Sequence, residues 1–297
     1  MKNRALVFIK PHAVRDKTVS FIEDFLKKKD IQLVSSGELA SEELKQEGIV
    51  DRHYFAIAQA AVDTPIGEMN PSTKAKTMFH DSFHEDWDQA AEQGRLLNAA
   101  EMLDRLDGVS PGELNDLWVG GEQIKLGPGL YAGKLAGKDL YVINGFYPAM
   151  RERFTAPGLT IRWYDTVFNP EVLSWSDFRG KVIGATDPSK AAEGSLRNIL
   201  LTRYSELGLE EEPTVTNNGI HASAGPIEGM RERMVWIGAD PYDTELAKAL
   251  RDVGFSRETI GSWLDNSEAE LKDSTRGPVF DLTEDMDADE AVKKLTR

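Results

Sequence analysis

The sequence predicts a mixed α/β fold of the α+β kind, and three observations carry that prediction. Ala5-Leu6-Val7-Phe8-Ile9 is a continuous apolar run of strand length that Lys10-Pro11 ends. Between Thr18 and Lys29, Val19, Phe21, Ile22, Phe25 and Leu26 recur at close to helical spacing, with charge on the other face. Ile31 to Leu39 and the alternating, aromatic-rich stretch Leu159 to Phe168 then read as strands, so both periods occur along one chain.

Composition sets the outer bounds. With 297 residues and 40% hydrophobic content, the chain can bury one large core or two modest ones. The absence of cysteine excludes disulfides, thiolate metal sites and cysteine catalysis. A formal charge of −15 repels nucleic acid and anionic membranes, so an anionic ligand must be met by a local cluster of Lys and Arg. No apolar run approaches the roughly 18 to 20 residues of a membrane span. The apolar stretch after Met1-Lys2-Asn3-Arg4 is too short for a signal peptide, and a soluble cytoplasmic protein is expected.

The remaining elements follow in order. Ser41-Glu42-Glu43-Leu44 opens a helix that runs to about His53-Tyr54, with acids in its first turn. Pro65, Gly67 and Pro71 mark a loop, and Ser72 to about Leu106 is largely helical by pattern. Within it His80 and His84 share a helical face near Glu85 and Asp86, a grouping that reads as a solvated polar face more readily than as a metal site. Gly120-Gly121, Gly127-Pro128-Gly129, Gly133 and Gly137 punctuate a loop or hairpin around Ile124-Lys125-Leu126 and Leu130-Tyr131. Leu140 to Ile143 is a short apolar run, Phe146 to Phe154 a compact helical pattern, and Leu173 to Val182 a further helix. Asp243 to Val253 and Ser256 to Leu264 read as two helices around Gly254, and the acidic last twenty or so residues read as a loosely docked tail.

The candidate chemistry centres on Asn218-Gly219-Ile220-His221-Ala222-Ser223, with Glu232 eleven residues past the histidine. The stretch follows an acidic loop and precedes a helical pattern from about Pro226 to Trp236, a junction where an imidazole can face a cleft. His221 there can be base, metal ligand or nucleophile, and Glu232 can orient it.

In order along the chain, Ile9-Lys10-Pro11, His53-Tyr54, Gly184-Ala185-Thr186-Asp187-Pro188, Arg197, Asn218-x-x-His221-x-Ser223 and Glu232 resemble the nucleoside diphosphate kinases. The similarity covers roughly residues 4 to 54 and 144 to 237. It implies a ferredoxin-like antiparallel sheet with helices on one face, carrying a mainly helical insertion. The implied division is 1–54 with 139–240 as the kinase-like domain, 55–138 as the insertion, and 241–297 as a C-terminal helical extension and acidic tail.

By that resemblance, the γ-phosphoryl of a nucleoside triphosphate passes to a nucleoside diphosphate through a phosphohistidine. His221 matches the nucleophile, Glu232 the glutamate that fixes its tautomer, and Ser223 the serine beside them. Lys10 and Tyr54 match the residues at the transferred phosphate, Thr186 and Arg197 those on the distal phosphates, and Asn218 the asparagine on the sugar hydroxyl. Phe146, with Met150 beside it and Val215 opposite, matches the base site. The resemblance further implies Mg²⁺ bound mainly through the nucleotide phosphates, ATP and nucleoside diphosphates as partners, and a homo-oligomer.

The chain also departs from the family pattern. His12 stands where the family has aspartate, and His-Gly-Ser-Asp becomes His221-Ala222-Ser223-Ala224. The family's second arginine, six residues before the threonine, falls on Gly180, with Arg179 and Lys181 on either side. A nucleotide-binding regulatory or scaffold module on the same fold is the rival reading; a third keeps the phosphohistidine and changes the acceptor.

Overall fold

The computed structural model describes residues 1–295. The chain divides into two compact units, Met1–Glu43 with Gly158–Arg297, and Leu44–Pro157.

The first unit is built on a four-stranded antiparallel sheet in the order Gln32–Ala40, Thr160–Phe168, Asn3–Ile9, Ile220–Ala222. Numbered by chain position within the unit this is 2-3-1-4, the ferredoxin-like order that the resemblance implies. Ala5 to Ile9 are all fully buried, which explains why the run lacks polar alternation: both faces of the central strand are covered. Ala5, Val7 and Ile9 pack with Ile22 and Leu26 of the helix Asp16–Lys28 and with Leu196 and Leu200 of the helix Leu196–Thr202. On the other face Phe8 meets Trp236 of the helix Pro226–Ile237, at 4.5 Å between ring centroids. The sheet therefore has helices on both faces, one more than the expectation. At its centre Asp165, 3% exposed, accepts from both Arg4 and Arg233, a compensated buried charge.

The C-terminal region differs from the loosely docked tail expected of its composition. The helices Val279–Thr283 and Ala288–Leu295 bury Val279, Ala288, Val292 and Leu295 with Ile227, Leu250 and Trp263 in a second apolar cluster. The acidic residues lie between apolar positions spaced for one helix face, and that spacing overrides the mean composition.

The second unit is mainly helical, with a small sheet in the order Leu96–Asn98, Tyr141–Ile143, Leu130–Lys134, Gln123–Gly127. The hairpin expected around Ile124 and Leu130 is present, whereas the strand Leu96–Asn98 interrupts the long helical pattern expected over Ser72 to Leu106. The helix expected to run from Ser41 to His53 is broken where Gly48 adopts φ 58°. Residues 44–54 and 139–157, expected with the kinase-like domain, group here with the second unit. Tyr141–Ile143 supplies a central strand, and Tyr147 donates to Asp51. The His80 group is occupied structurally: Glu85 pairs with Arg95 at 2.6 Å, Asp86 caps a helix through Gln89 N, and His84 ends the helix Thr73–Phe83 at φ 53°. No helix among the described residues is long and apolar enough to cross a membrane.

Candidate active site

His221 occupies the middle of the edge strand Ile220–Ala222, paired with Phe8 of the central strand. Its ring stacks on Phe8, with centroids 4.6 Å apart and planes 20° from parallel. Nε2 of His221 lies 2.6 Å from Oε1 of Glu232, which is 1% exposed on the following helix. The second carboxylate oxygen accepts from Ser223 Oγ at 2.6 Å, and that hydroxyl in turn accepts from the amide of Leu6 at 2.9 Å. Ring stacking and this chain of hydrogen bonds fix the imidazole in place. A carboxylate on Nε2 holds the proton there, so in the neutral ring the lone pair sits on Nδ1.

His221 faces a cleft of about 670 Å³ that Arg179, Gly184, Thr186, Lys190 and Arg197 also line, a size that suits a small-molecule ligand. Arg197 is anchored by its Nη atoms on the carbonyls of Gly184 and Ile220, 2.8 and 3.0 Å away, while its buried Nε has no hydrogen-bond partner among the described residues. No carboxylate pairs with it there either, and burial, aided by nearby Arg179, brings its guanidinium down to about 10. A half-buried cation without a counter-charge is costly to maintain and is suited to an anion from outside. Gly184 makes the arrangement possible. Its φ of 93° is open to glycine, and a Cβ there would fall 2.4 Å from Ser195 Oγ.

Arg179, not Gly180 or Lys181, is the cation that reaches the cleft from this segment; Lys181 pairs with Asp177 at the surface. Phe178–Ile183 is a wide turn closed by Gly184 N on Arg179 O, and such a turn holds one more residue than an α turn. One residue is also the offset of Arg179 from the position that the resemblance implies.

Asn218, 2% exposed, donates to the carbonyls of Thr186 and Val215 and so ties the loop before His221 to the 184–188 loop. Its buried Oδ1 has no partner among the described residues. Lys10, at the end of the central strand, joins the same loop: its amide donates to Gly219 O and its ammonium to Thr216 O. Val215 is 54% exposed. Tyr54, Phe146 and Met150 belong to the second unit and pack in its apolar cluster, where Phe146 contacts Trp118 and Tyr131 at ring separations of 5.8 and 5.7 Å. Phe146 and Met150 are partly buried there.

No protein-family model matches the chain, and no curated protein matches it. Among solved structures it is similar to a nucleoside diphosphate kinase of Encephalitozoon cuniculi, with 14% identity over 82% of this chain and 94% of that one, at a TM-score of 0.39. A similar likeness links it to the NDP kinase of Pyrobaculum aerophilum, with 16% identity over 80% and 96% of the two chains and a TM-score of 0.38. The Borrelia burgdorferi enzyme with bound vanadate and ADP has 14% identity, coverage of 80% and 87%, and a TM-score of 0.37. At these values the likeness is one of outline, and the chemistry is read from this chain's own side chains.

The acidic residues of the cleft escaped the sequence reading. Glu228, Glu284 and Asp285 line the same space as His221. Glu228 accepts from Ala224 N at 3.2 Å; burial and then the neighbouring Glu232 push its carboxyl up to about 8. Glu284 and Asp285 both pair with Arg179, and although burial alone would lower that guanidinium, they hold it above its ordinary range. Only the helical spacing around Glu228 hinted at its place; nothing local marked the other two.

Proposed function

We propose that this protein is a nucleoside diphosphate kinase-like phosphotransferase in which His221 carries the phosphoryl group. The observation that carries the reading is the 2.6 Å contact between Nε2 of His221 and Glu232, which leaves the lone pair on Nδ1 in a residue lining the same cleft as Arg197 and Arg179. In the first half-reaction the Nδ1 lone pair forms a bond to the γ-phosphorus. The bond from phosphorus to the bridging oxygen breaks, and the nucleoside diphosphate leaves with that electron pair. Glu232 stabilises the positive charge that develops on the ring. In the second, an oxygen of an acceptor diphosphate takes the phosphoryl group and the ring returns to neutral.

Arg197 supplies local positive charge that an anionic ligand requires in a chain of formal charge −15, and Arg179, paired with Glu284 and Asp285, stands beside it. Thr186 sits beside them in the same lining, and Asn218 and Lys10 hold the adjoining loop. Magnesium arriving on the nucleotide fits this cleft, because it is held mainly through phosphate oxygens and Glu284 and Asp285 offer further hard oxygen ligands of the kind it takes. Bound there it would neutralise phosphate charge.

The test is incubation with γ-labelled ATP, followed by a chase with a second nucleoside diphosphate. Acid-labile label that appears on the wild type, is lost in His221→Ala and is chased onto the diphosphate is the expected result. Label that forms but is chased onto no diphosphate would overturn the assigned acceptor.

A further inference from the structure

Among the described residues, Arg197 in the cleft has no carboxylate partner, whereas Arg179 has two. Arg179 Nη1 donates to Glu284 Oε1 at 2.6 Å and to Asp285 Oδ1 at 2.9 Å. Both acids come from a short strap between the two C-terminal helices, and the backbone of that strap is held at each end. Asp285 N donates to Ala224 O at 3.0 Å, and Met286 N turns back onto Thr283 O. Thr283 O approaches Gly225 so closely that a Cβ there would lie 2.7 Å away. On the far side Asp287 Oδ1 accepts from Trp175 N and Asn3 Nδ2, at 2.7 and 2.6 Å, and Ala288 N donates to Asn3 Oδ1. Asp285 itself has φ 61°, in the left-handed region that Asp tolerates better than most residues. The strap is thus fastened by groups outside the cleft, and the two side chains it turns toward the cleft are carboxylates on Arg179.

We propose that Glu284 and Asp285 are affinity-setting residues of this cleft: they occupy Arg179 as internal carboxylate ligands that an incoming phosphate chain must displace. A carboxylate oxygen on a guanidinium makes the same charge-assisted hydrogen bond as a phosphate oxygen, so the two compete for one donor face. Arg197, which has no such competitor, provides the first hold on the anion. Arg179 joins only when the ligand outbids two acids already in place. The strap therefore discriminates against singly charged or short anions and favours the polyphosphate of a nucleoside di- or triphosphate. Naming that ligand rests on the function proposed above, whereas the competition for Arg179 does not.

Titration calorimetry with metal-free inorganic tripolyphosphate, at fixed ionic strength, tests the competition without any phosphoryl transfer. Glu284→Gln/Asp285→Asn is expected to bind about tenfold or more tightly than wild type, the scale of one charge-assisted pair. In an Arg179→Ala background the same pair of substitutions should gain less than about twofold, because a bulk-charge effect would persist there and competition for Arg179 would not. Asp285→Asn alone, which suits the left-handed backbone, should show a smaller gain in the same direction. Equal gains with and without Arg179, no gain, or no binding by either protein would overturn the proposal. In a His221→Ala background, which takes no label, the strap pair should show the full gain, so loss of the phosphohistidine reading and loss of the strap proposal are told apart.

Discussion

Nε2 of His221 lies 2.6 Å from Oε1 of Glu232, and the other oxygen of that carboxylate takes a second 2.6 Å bond, from Ser223. One buried carboxylate thus sets the tautomer of the histidine while being itself held on the side away from the ring. The geometry arises from two elements that meet at Ala224 and Gly225. A three-residue edge strand carries His221, and the helix Pro226–Ile237 returns Glu232 to it.

Glu232→Gln keeps the size of the side chain and removes its charge. The ring then loses the partner for its developing positive charge and its fixed tautomer. The rate of phosphoenzyme formation should fall by about 10- to 100-fold, the scale of losing an orienting partner. Quenched-flow labelling measures this rate; an unchanged rate would separate Glu232 from the chemistry.

Ser223→Ala removes a fully buried hydroxyl that links the amide of Leu6 to Glu232. The substitution leaves a central-strand N–H and a carboxylate oxygen each short of a partner. Urea denaturation should show a loss of about 1–3 kcal/mol. The labelling rate should fall less than in Glu232→Gln, because the contact from Glu232 to the ring stays.

Glu228 makes stability depend on pH. Its carboxyl is pushed up to about 8 from an ordinary 4.5, by burial first and then by Glu232 and Glu284, against the hydrogen bond from Ala224 N and the pull of Arg179. Between those values the folded protein holds a proton that the unfolded chain releases, so folding stability falls as pH rises through that window. Glu228→Gln removes this contribution and should flatten the profile. At about pH 9 it should exceed wild type by about 1 kcal/mol or more, and by little at about pH 5. Parallel profiles in urea denaturation across this range would contradict the assignment.

Much of the first unit was legible because its signals are local. The run Ala5 to Ile9 announces a strand buried on both faces, and His221 on one strand, Ser223 just past it and Glu232 on the next helix fall within a dozen residues. The strand Leu96–Asn98 was hidden because three residues are too few to show a period, and the helix after Ser41 was overextended because Gly48 interrupts it through a backbone angle. Glu284 and Asp285 were illegible for a different reason. They reach Arg179 across more than a hundred residues of sequence, by contacts of Asp287 and Asp285 with Trp175, Asn3 and Ala224 that no local pattern encodes. Val279, Ala288, Val292 and Leu295 did carry a readable sign that the tail docks, and the acidic mean composition masked it.

The position of the phosphoryl group on the wild-type protein tests the central claim most directly. After reaction with γ-labelled ATP and alkaline digestion, the label should be found on Nδ1 of His221, because Glu232 holds the proton on Nε2. Label on Nε2, label that persists in His221→Ala, or no label at saturating ATP would contradict it.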